Sequence, residues 1–303
     1  EISPKDEPYH IFRGDLHGRT EISKDGSSEG TIIDLFRYSY DAAALDFVAI
    51  TDHTKKSGYN EEYTWWRTQK MTDIFHAPPH FISLFGYEWA HPYPHGHRNV
   101  IQANRGFRSY PHLGTNKDAT IEGLYNYLEK TGGITITHHP GALGGTDWSN
   151  RNTELEPVIE IYQGCRVSYE YEGAPRTDLP NQTGGDQLGG YNPEGFVWKA
   201  WKKGLNMGVI ASSDHQSTHI SYANVITKVP TREGLINAIK KRHTYASTDN
   251  IVVDFAMDKH IQGDIIKNPE SFQFTIHIKG TTPIKKLVIF KNFKEVETFN
   301  SQS

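Results

Sequence analysis

With 303 residues, 36% of them hydrophobic and 22% charged, the chain has the make-up of an ordinary globular protein large enough to bury a sizeable core. A formal charge of −4 leaves no basic footprint and argues against a nucleic-acid partner, and no apolar run approaches the roughly 20 residues of a membrane-spanning helix. The single cysteine, Cys165, excludes an internal disulfide framework and a cysteine-rich zinc site.

Strand-type runs recur along the chain, and several end in the same kind of residue. The first, "YHIF", leads into "RGDLHGRT", which presents His17, with Arg19 two residues on and Asp25 eight residues on. A helical pattern follows over 31–44, with Thr31 as cap and Asp34 three residues later. "LDFVAI" (45–50) ends at Asp52 and His53, and a second helical pattern covers 60–75. "HFISLFGY" (80–87) ends at Glu88, then His91, His95 and His97, before "RNVIQA" (98–103). A helical pattern over 119–133 closes on glycine, the usual helix stop, and "GITIT" then delivers His138 and His139. "VIEIYQG" (158–164) precedes a long polar stretch, 170–190, whose length suits a functional flap. The fourth helical pattern spans 192–204, and "MGVIAS" (207–212) ends at Ser213, Asp214 and His215, with His219 beyond.

Strands alternating with helices imply mostly parallel pairing and an α/β barrel over about residues 1–249, with an open doubly wound sheet as the rival. In either arrangement the carboxyl ends of the strands share one face, where ligands bind. Beyond residue 249 the pattern switches to period two with Gly, Pro and Asn turns, which predicts a small antiparallel β module over 250–303. It breaks off abruptly at "NSQS". The start at Glu1 rather than Met leaves a soluble chain, exported with its leader removed, as one expectation.

Nine of the 16 histidines lie at strand ends, and five such ends repeat one chemistry. Imidazole nitrogen with carboxylate oxygen is the ligand set of zinc, manganese or iron, and a carboxylate such as Glu88 can bridge two ions. His10, His76, His80, His112, His243, His260 and His277 stand alone and read as ordinary polar groups. Adjacent side chains diverge, so of His138 and His139 one is expected as a ligand, His139, and the other behind it or facing substrate. Ser213 beside Asp214 and His215 makes a geometrically poor nucleophile triad, and "GALGG" lacks the Lys-Ser/Thr ending of a P-loop. Tyr87, Trp89 and Trp148 are candidates for lining a cleft, whereas Trp65 and Trp66 fall in a helical pattern as packing residues.

In order and spacing, "DLHGRT…SKDG", "AITDH", "GYEW…HGHRN", "HHPG" and "SSDH" resemble the PHP superfamily, named for polymerase and histidinol phosphatase, over about residues 11–249. The tail from "RHTYASTDN" resembles an extension in a bacterial branch of that superfamily. The resemblance implies a distorted seven-stranded β/α barrel that holds two or three divalent ions and hydrolyses phosphate esters. Carried over by position, it implies one ion at His17, Glu88 and Asp214, a second at Glu88, His97 and His139, and a third among Asp25, His53 and His215. Two departures stand out. Arg19 occupies the place of a second imidazole in the first motif and cannot ligate a metal, but its planar fork suits a phosphate oxygen pair. The last motif runs Asp214-His215 with no residue between, which divides that role between His215 and His219.

The expectation is therefore a metal-dependent phosphoesterase acting on a small anionic substrate with metal-activated water. Arg19 neutralises phosphoryl charge, and His138 or His215 protonates the leaving oxygen. Hydrolysis of a C–N or C–O bond, or a non-catalytic anion-binding module with a degenerate site, are the alternatives.

Overall fold

In the computed structural model, residues 8–26, 29–53, 61–111, 119–181, 189–215, 220–269 and 272–300 are described. The seven anticipated strands all form and lie side by side in one sheet: β1 (His10–Gly18), β2 (Phe47–Ile50), β3 (Ile82–Trp89), β4 (Arg98–Gln102), β5 (Ile134–Thr137), β6 (Val158–Gln163) and β7 (Gly208–Ser212). Two further strands, β8 (Tyr222–Thr227) and β9 (Thr244–Ser247), extend it beyond β1 in the order β7-β6-β5-β4-β3-β2-β1-β8-β9. The sheet curls until β7 meets the other edge. Asp214 N donates to His17 O at 2.9 Å, and Thr244 Oγ1 donates to Val209 O at 2.9 Å. The result is a nearly closed α/β barrel.

Mostly parallel pairing does not hold. β1–β2, β2–β3, β5–β6 and β6–β7 are parallel, but β3–β4, β4–β5, β1–β8 and β8–β9 are antiparallel. The cause is connection length: the link from Trp89 to Arg98 contains no helix and is too short for a crossover, so β4 must run back. That reversal puts the start of β4, and His97 just before it, on the same rim as the ends of β3 and β5.

Among the described residues, five α-helices pack around the sheet: α1 (Ile32–Arg37, continued by a π turn over Tyr38–Ala42), α2 (Glu61–Ile74), α3 (Ile121–Thr131), α4 (Val197–Lys202) and α5 (Arg232–Lys240). The anticipated box at α1 is present, since Thr31 accepts from Asp34 N and Asp34 accepts from Thr31 N. α3 is capped by Thr120 and stopped by Gly132, whose φ of 74° puts it in the left-handed region.

Alternation along the strands separates an inner layer from an outer one. Phe47, Ala49, Ile82, Leu84, Ile134, Ile136, Val158 and Ile210 pack together inside the barrel. Their odd-even partners pack outward: Val48 and Ile50 with α1, Tyr87, Trp89 and Val100 with α3, and Ile159 with α4. Tyr87, Trp89 and Trp148 are therefore core residues, not cleft walls, and Trp65 packs on Tyr87 at 5.5 Å between ring centroids. α5 closes the end opposite the site. Its Leu235, Ile236 and Ile239 join the inner cluster, while Arg232 donates to Ser83 O at 2.7 Å and Lys240 Nζ to Gly132 O at 2.9 Å, near the starts of β3 and β5.

After β9, β10 (Val252–Met257), β11 (His260–Ile261) and β12 (Thr275–Lys279) form one small antiparallel sheet, and β13 (Lys286–Lys291) and β14 (Lys294–Asn300) form a hairpin. Phe290 and Phe293 pack on Trp198 of α4 at 5.4 and 5.5 Å. Of the stretch 170–190, residues 182–188 lie outside the described ones, and the remainder is partly anchored, with Ala174 and Asp178 buried.

Candidate metal centre

Inner-face alternation continues past the hydrophobic layer to the rim, and there it places polar groups. On β2, Phe47 and Ala49 lead to Thr51 and His53. On β3, Ile82 and Leu84 lead through Gly86 to Glu88. On β5, Ile134 and Ile136 lead to His138; on β6, Val158 leads to Glu160; on β7, Ile210 leads through Ser212 to Asp214. His17 breaks the alternation of β1. A register irregularity between Asp15 and Gly18 re-aims it inward, the usual effect of a bulge.

Glu88 is the hub and is fully buried. Its Oε1 lies 2.7 Å from His97 Nδ1, 3.2 Å from His138 Nε2 and 3.5 Å from His53 Nδ1. Its Oε2 lies 3.5 Å from His17 Nε2 and accepts a hydrogen bond from Arg19 Nη2. His17 Nε2 is also 3.2 Å from Asp214 Oδ1, and its Nδ1 is 3.0 Å from Glu160 Oε2. His138 lies between neighbours, with its ring centroid 4.2 Å from the tilted ring of His17 and 4.5 Å from His139, which meets it edge-on, and His139 lies 4.9 Å from His97. Two of these residues hold left-handed backbones, His139 at φ 34° and Asp214 at φ 62°, a strain of the sort that accumulates at functional sites.

Among the described residues, two groups bring ligand atoms within 4.8 Å of one another: His97, His138 and His139, and His17, Glu88 and His138. Buried imidazole nitrogens there make no hydrogen bond, namely His17 Nε2, both nitrogens of His138, and His139 Nδ1. A buried polar atom without a partner is costly, and the lone pairs of His138 and His139 near His97 offset that cost by binding an ion. The donor set fits a divalent metal. Electrostatics agrees on the ring charges. Burial, reinforced by the charge on His17, pushes His138 down to about 3, and burial with His138 and His97 pushes His139 well down, so both rings are neutral donors. Burial opposes charge on His17 too, but Asp214 and Glu160 outweigh it and hold the ring up at about 10. Burial raises the Glu88 carboxyl, yet Arg19, followed by His53, brings it well below the usual range.

The other expected residues fall as follows. Asp25 pairs with His53 Nε2 at 2.8 Å. His215 places Nδ1 3.1 Å from Glu29 and Nε2 3.4 Å from Asp214, so its ring is engaged by those two carboxylates. His91 and His95 pair with each other at 4.9 Å, and His91 lies against Trp89 at 4.9 Å; neither is in the two ligand groups. His112 and His219 lie outside the described residues. Arg19 turns inward, 4% exposed, with Nε on Asp214 Oδ1 at 3.0 Å, Nη1 on Thr51 O at 2.7 Å and Nη2 on Glu88. Asp15 is spent on structure, accepting from His17 N at 2.9 Å and from the Ser213 hydroxyl.

Two residues at the site went unread in the sequence. Glu160 was legible, since Val158-x-Glu160 continues the inner alternation of β6 to the rim. Arg166, whose Nε is 3.7 Å from Asp214 Oδ2, sits in a turn after β6 and carries no sequence signal.

Residues 56–171 match a family described as protein of unknown function (DUF3604). Uncharacterized proteins of Chlamydia muridarum, Chlamydia trachomatis serovar D and Chlamydia pneumoniae are each 26% identical in alignments of 317, 318 and 312 positions that cover 96% of this chain and 49% of theirs. The chain thus spans about half the length of the curated relatives it matches. Among solved structures, a two-domain protein from Bacteroides vulgatus ATCC 8482, described as containing a predicted PHP-like metal-dependent phosphoesterase, superimposes with a TM-score of 0.52 at 16% identity, over 80% of this chain and 66% of that one. Endonuclease Q bound to a 27-mer duplex with an abasic lesion gives 0.47 at 13% identity, over 76% and 57%, too distant to bear on this chain. The order of the rim motifs and the architecture of the barrel agree: the chain has the PHP fold.

Proposed function

We propose that this chain is a metal-dependent hydrolase of phosphate esters with a small anionic substrate. The observation that carries this reading is the buried Glu88 beside His97, His138 and His139, with nitrogens of His138 and His139 that make no hydrogen bond. His97, His138, His139 and Glu88 would hold the metal, with zinc, manganese or iron all compatible with such donors. A divalent ion bound there would act as a Lewis acid toward water and toward the phosphoryl oxygens.

The protein's own groups do the rest. Neutral His138 and His139 present lone pairs without first shedding a proton. His138 is fully buried and has no proton to give near neutrality, so His215, at the partly exposed rim between Glu29 and Asp214, is the better donor to a leaving oxygen. Arg166, near Asp214, brings a second cation toward the same edge.

The test is a panel of phosphate esters with protein loaded with zinc or manganese, alongside Glu88→Gln. Turnover by the native chain, abolished in Glu88→Gln together with looser metal binding, is the expected result. A silent phosphate panel with activity on an amide or lactone would move the reaction to C–N or C–O bonds. Tight inorganic phosphate binding without turnover under any metal would make the chain a binding module. The net charge of −4 disfavours a nucleic-acid substrate, and duplex DNA bound at micromolar protein in ordinary salt would overturn that part.

A further inference from the structure

The His17–Glu88–Asp214 corner already contains a cation. His17 Nε2 faces Glu88 Oε2 at 3.5 Å and Asp214 Oδ1 at 3.2 Å, and these are the same two oxygens that Arg19 grips through Nη2 and Nε. Its third anchor, Thr51 O at 2.7 Å, fixes the plane of the guanidinium, and the side chain is 3% exposed. A guanidinium cannot lose its proton here, and an ion entering this corner must take oxygens that Arg19 holds. Displacement would leave a buried guanidinium without its countercharges, which is strongly unfavourable.

Glu88 divides its two oxygens accordingly. Oε2 serves Arg19, while Oε1 faces His97, His138 and His53. The group His97, His138 and His139 has no contact with the guanidinium among those found for Arg19, and nitrogens of its His138 and His139 make no hydrogen bond. The group His17, Glu88 and His138, by contrast, draws on the corner Arg19 fills.

We propose that Arg19 is the resident cation of the His17–Glu88–Asp214 corner and excludes a divalent ion from it, leaving ions to the His97–His138–His139 side of Glu88. The proposal rests on the metal-dependent reading above and sharpens it: one ion position is replaced by a permanent side-chain charge. Arg19 is a positioning residue for Glu88 and Asp214, not a group that meets substrate.

The test counts ions. The full chain, Arg19→His, Arg19→Lys and Asp214→Asn are loaded with zinc or manganese, passed through gel filtration and analysed for metal per chain by mass spectrometry, with circular dichroism to check folding. Arg19→His, which restores an imidazole and removes the cation, is expected to carry one equivalent more than the native chain, and Arg19→Lys the same as the native chain. Asp214→Asn is expected to keep the native count, because Asp214 holds Arg19 and not an ion. Equal counts in folded Arg19→His and the native chain, or loss of an ion in Asp214→Asn, would overturn the proposal. If Arg19→His does not fold, the Asp214→Asn count decides alone. A native chain that binds no metal at all would defeat the metal-centre reading itself, whereas equal and non-zero counts would defeat only the role given to Arg19.

Discussion

Glu156 lies at the outer flank of β5 and does for the fold what Glu88 does for the site. It is fully buried and serves two guanidiniums at once, with Arg98 Nε at 3.6 Å and Arg151 Nη1 at 3.2 Å, while Tyr125 OH donates to it at 2.8 Å and Thr137 adds its hydroxyl. Glu156→Gln removes the charge that both arginines share and should cost about 3–5 kcal/mol, read from chemical denaturation. An unchanged midpoint would mean that water reaches those guanidiniums. At the site, His138→Ala should release the bound ion on gel filtration while leaving far-UV dichroism intact, because its ring is a donor to both ligand groups. At this scale the sequence was informative about residue types and less so about orientation. Choosing His139 over His138 relied on divergence of neighbours alone. The inner alternation Ile134, Ile136, His138 points to His138, and the left-handed φ of His139 then turns the second ring back beside His97, which sequence alone does not foretell.

Elements formed where local signals agreed. α3 has Thr120 accepting from Gly123 N at 3.0 Å, Leu124 and Leu128 on its buried side, and Gly132 left-handed at its end. Thr120→Ala should lower stability by about 1 kcal/mol through the lost cap. Gly132→Ala should cost about 1 kcal/mol or somewhat more, because a Cβ is disfavoured at φ 74° even though nothing crowds it there. If Gly132→Ala were instead stabilising, the turn would have relaxed out of the left-handed region. The same kind of signal, Thr231 ahead of Leu235, Ile236 and Ile239, marks α5, and the run Tyr222–Thr227 marks β8, though neither entered the reading from sequence. Strand direction is a different case. β4 has the composition of its parallel neighbours, and only the helix-free link from Trp89 to Arg98 reveals that it runs backwards.

For the whole molecule, the candidate metal centre drawn from β3, β5 and the link before β4 ties together segments far apart in the chain. An ion that binds only the folded state stabilises it by about 2.7 kcal/mol at a hundredfold excess over its dissociation constant. Chelation should therefore lower the melting temperature by several degrees, and zinc or manganese should restore it. A melting temperature indifferent to chelator and metal would argue that no ion is linked to folding. No helix among the described residues is long and apolar enough to cross a membrane.

By itself the sequence determined the alternating strands and helices, the cap of α1 and the rim on which imidazoles and carboxylates collect, because period-two and helical patterns are local and one buried face repeats in each strand, while barrel and open sheet both remained compatible with it. The tertiary structure alone decided which ligand atoms share a space, that Glu160 backs His17, and that Arg19 spends its donors on Glu88 and Asp214. Those outcomes depend on distances between residues up to 195 positions apart, set by how the sheet curls and where β1 slips its register.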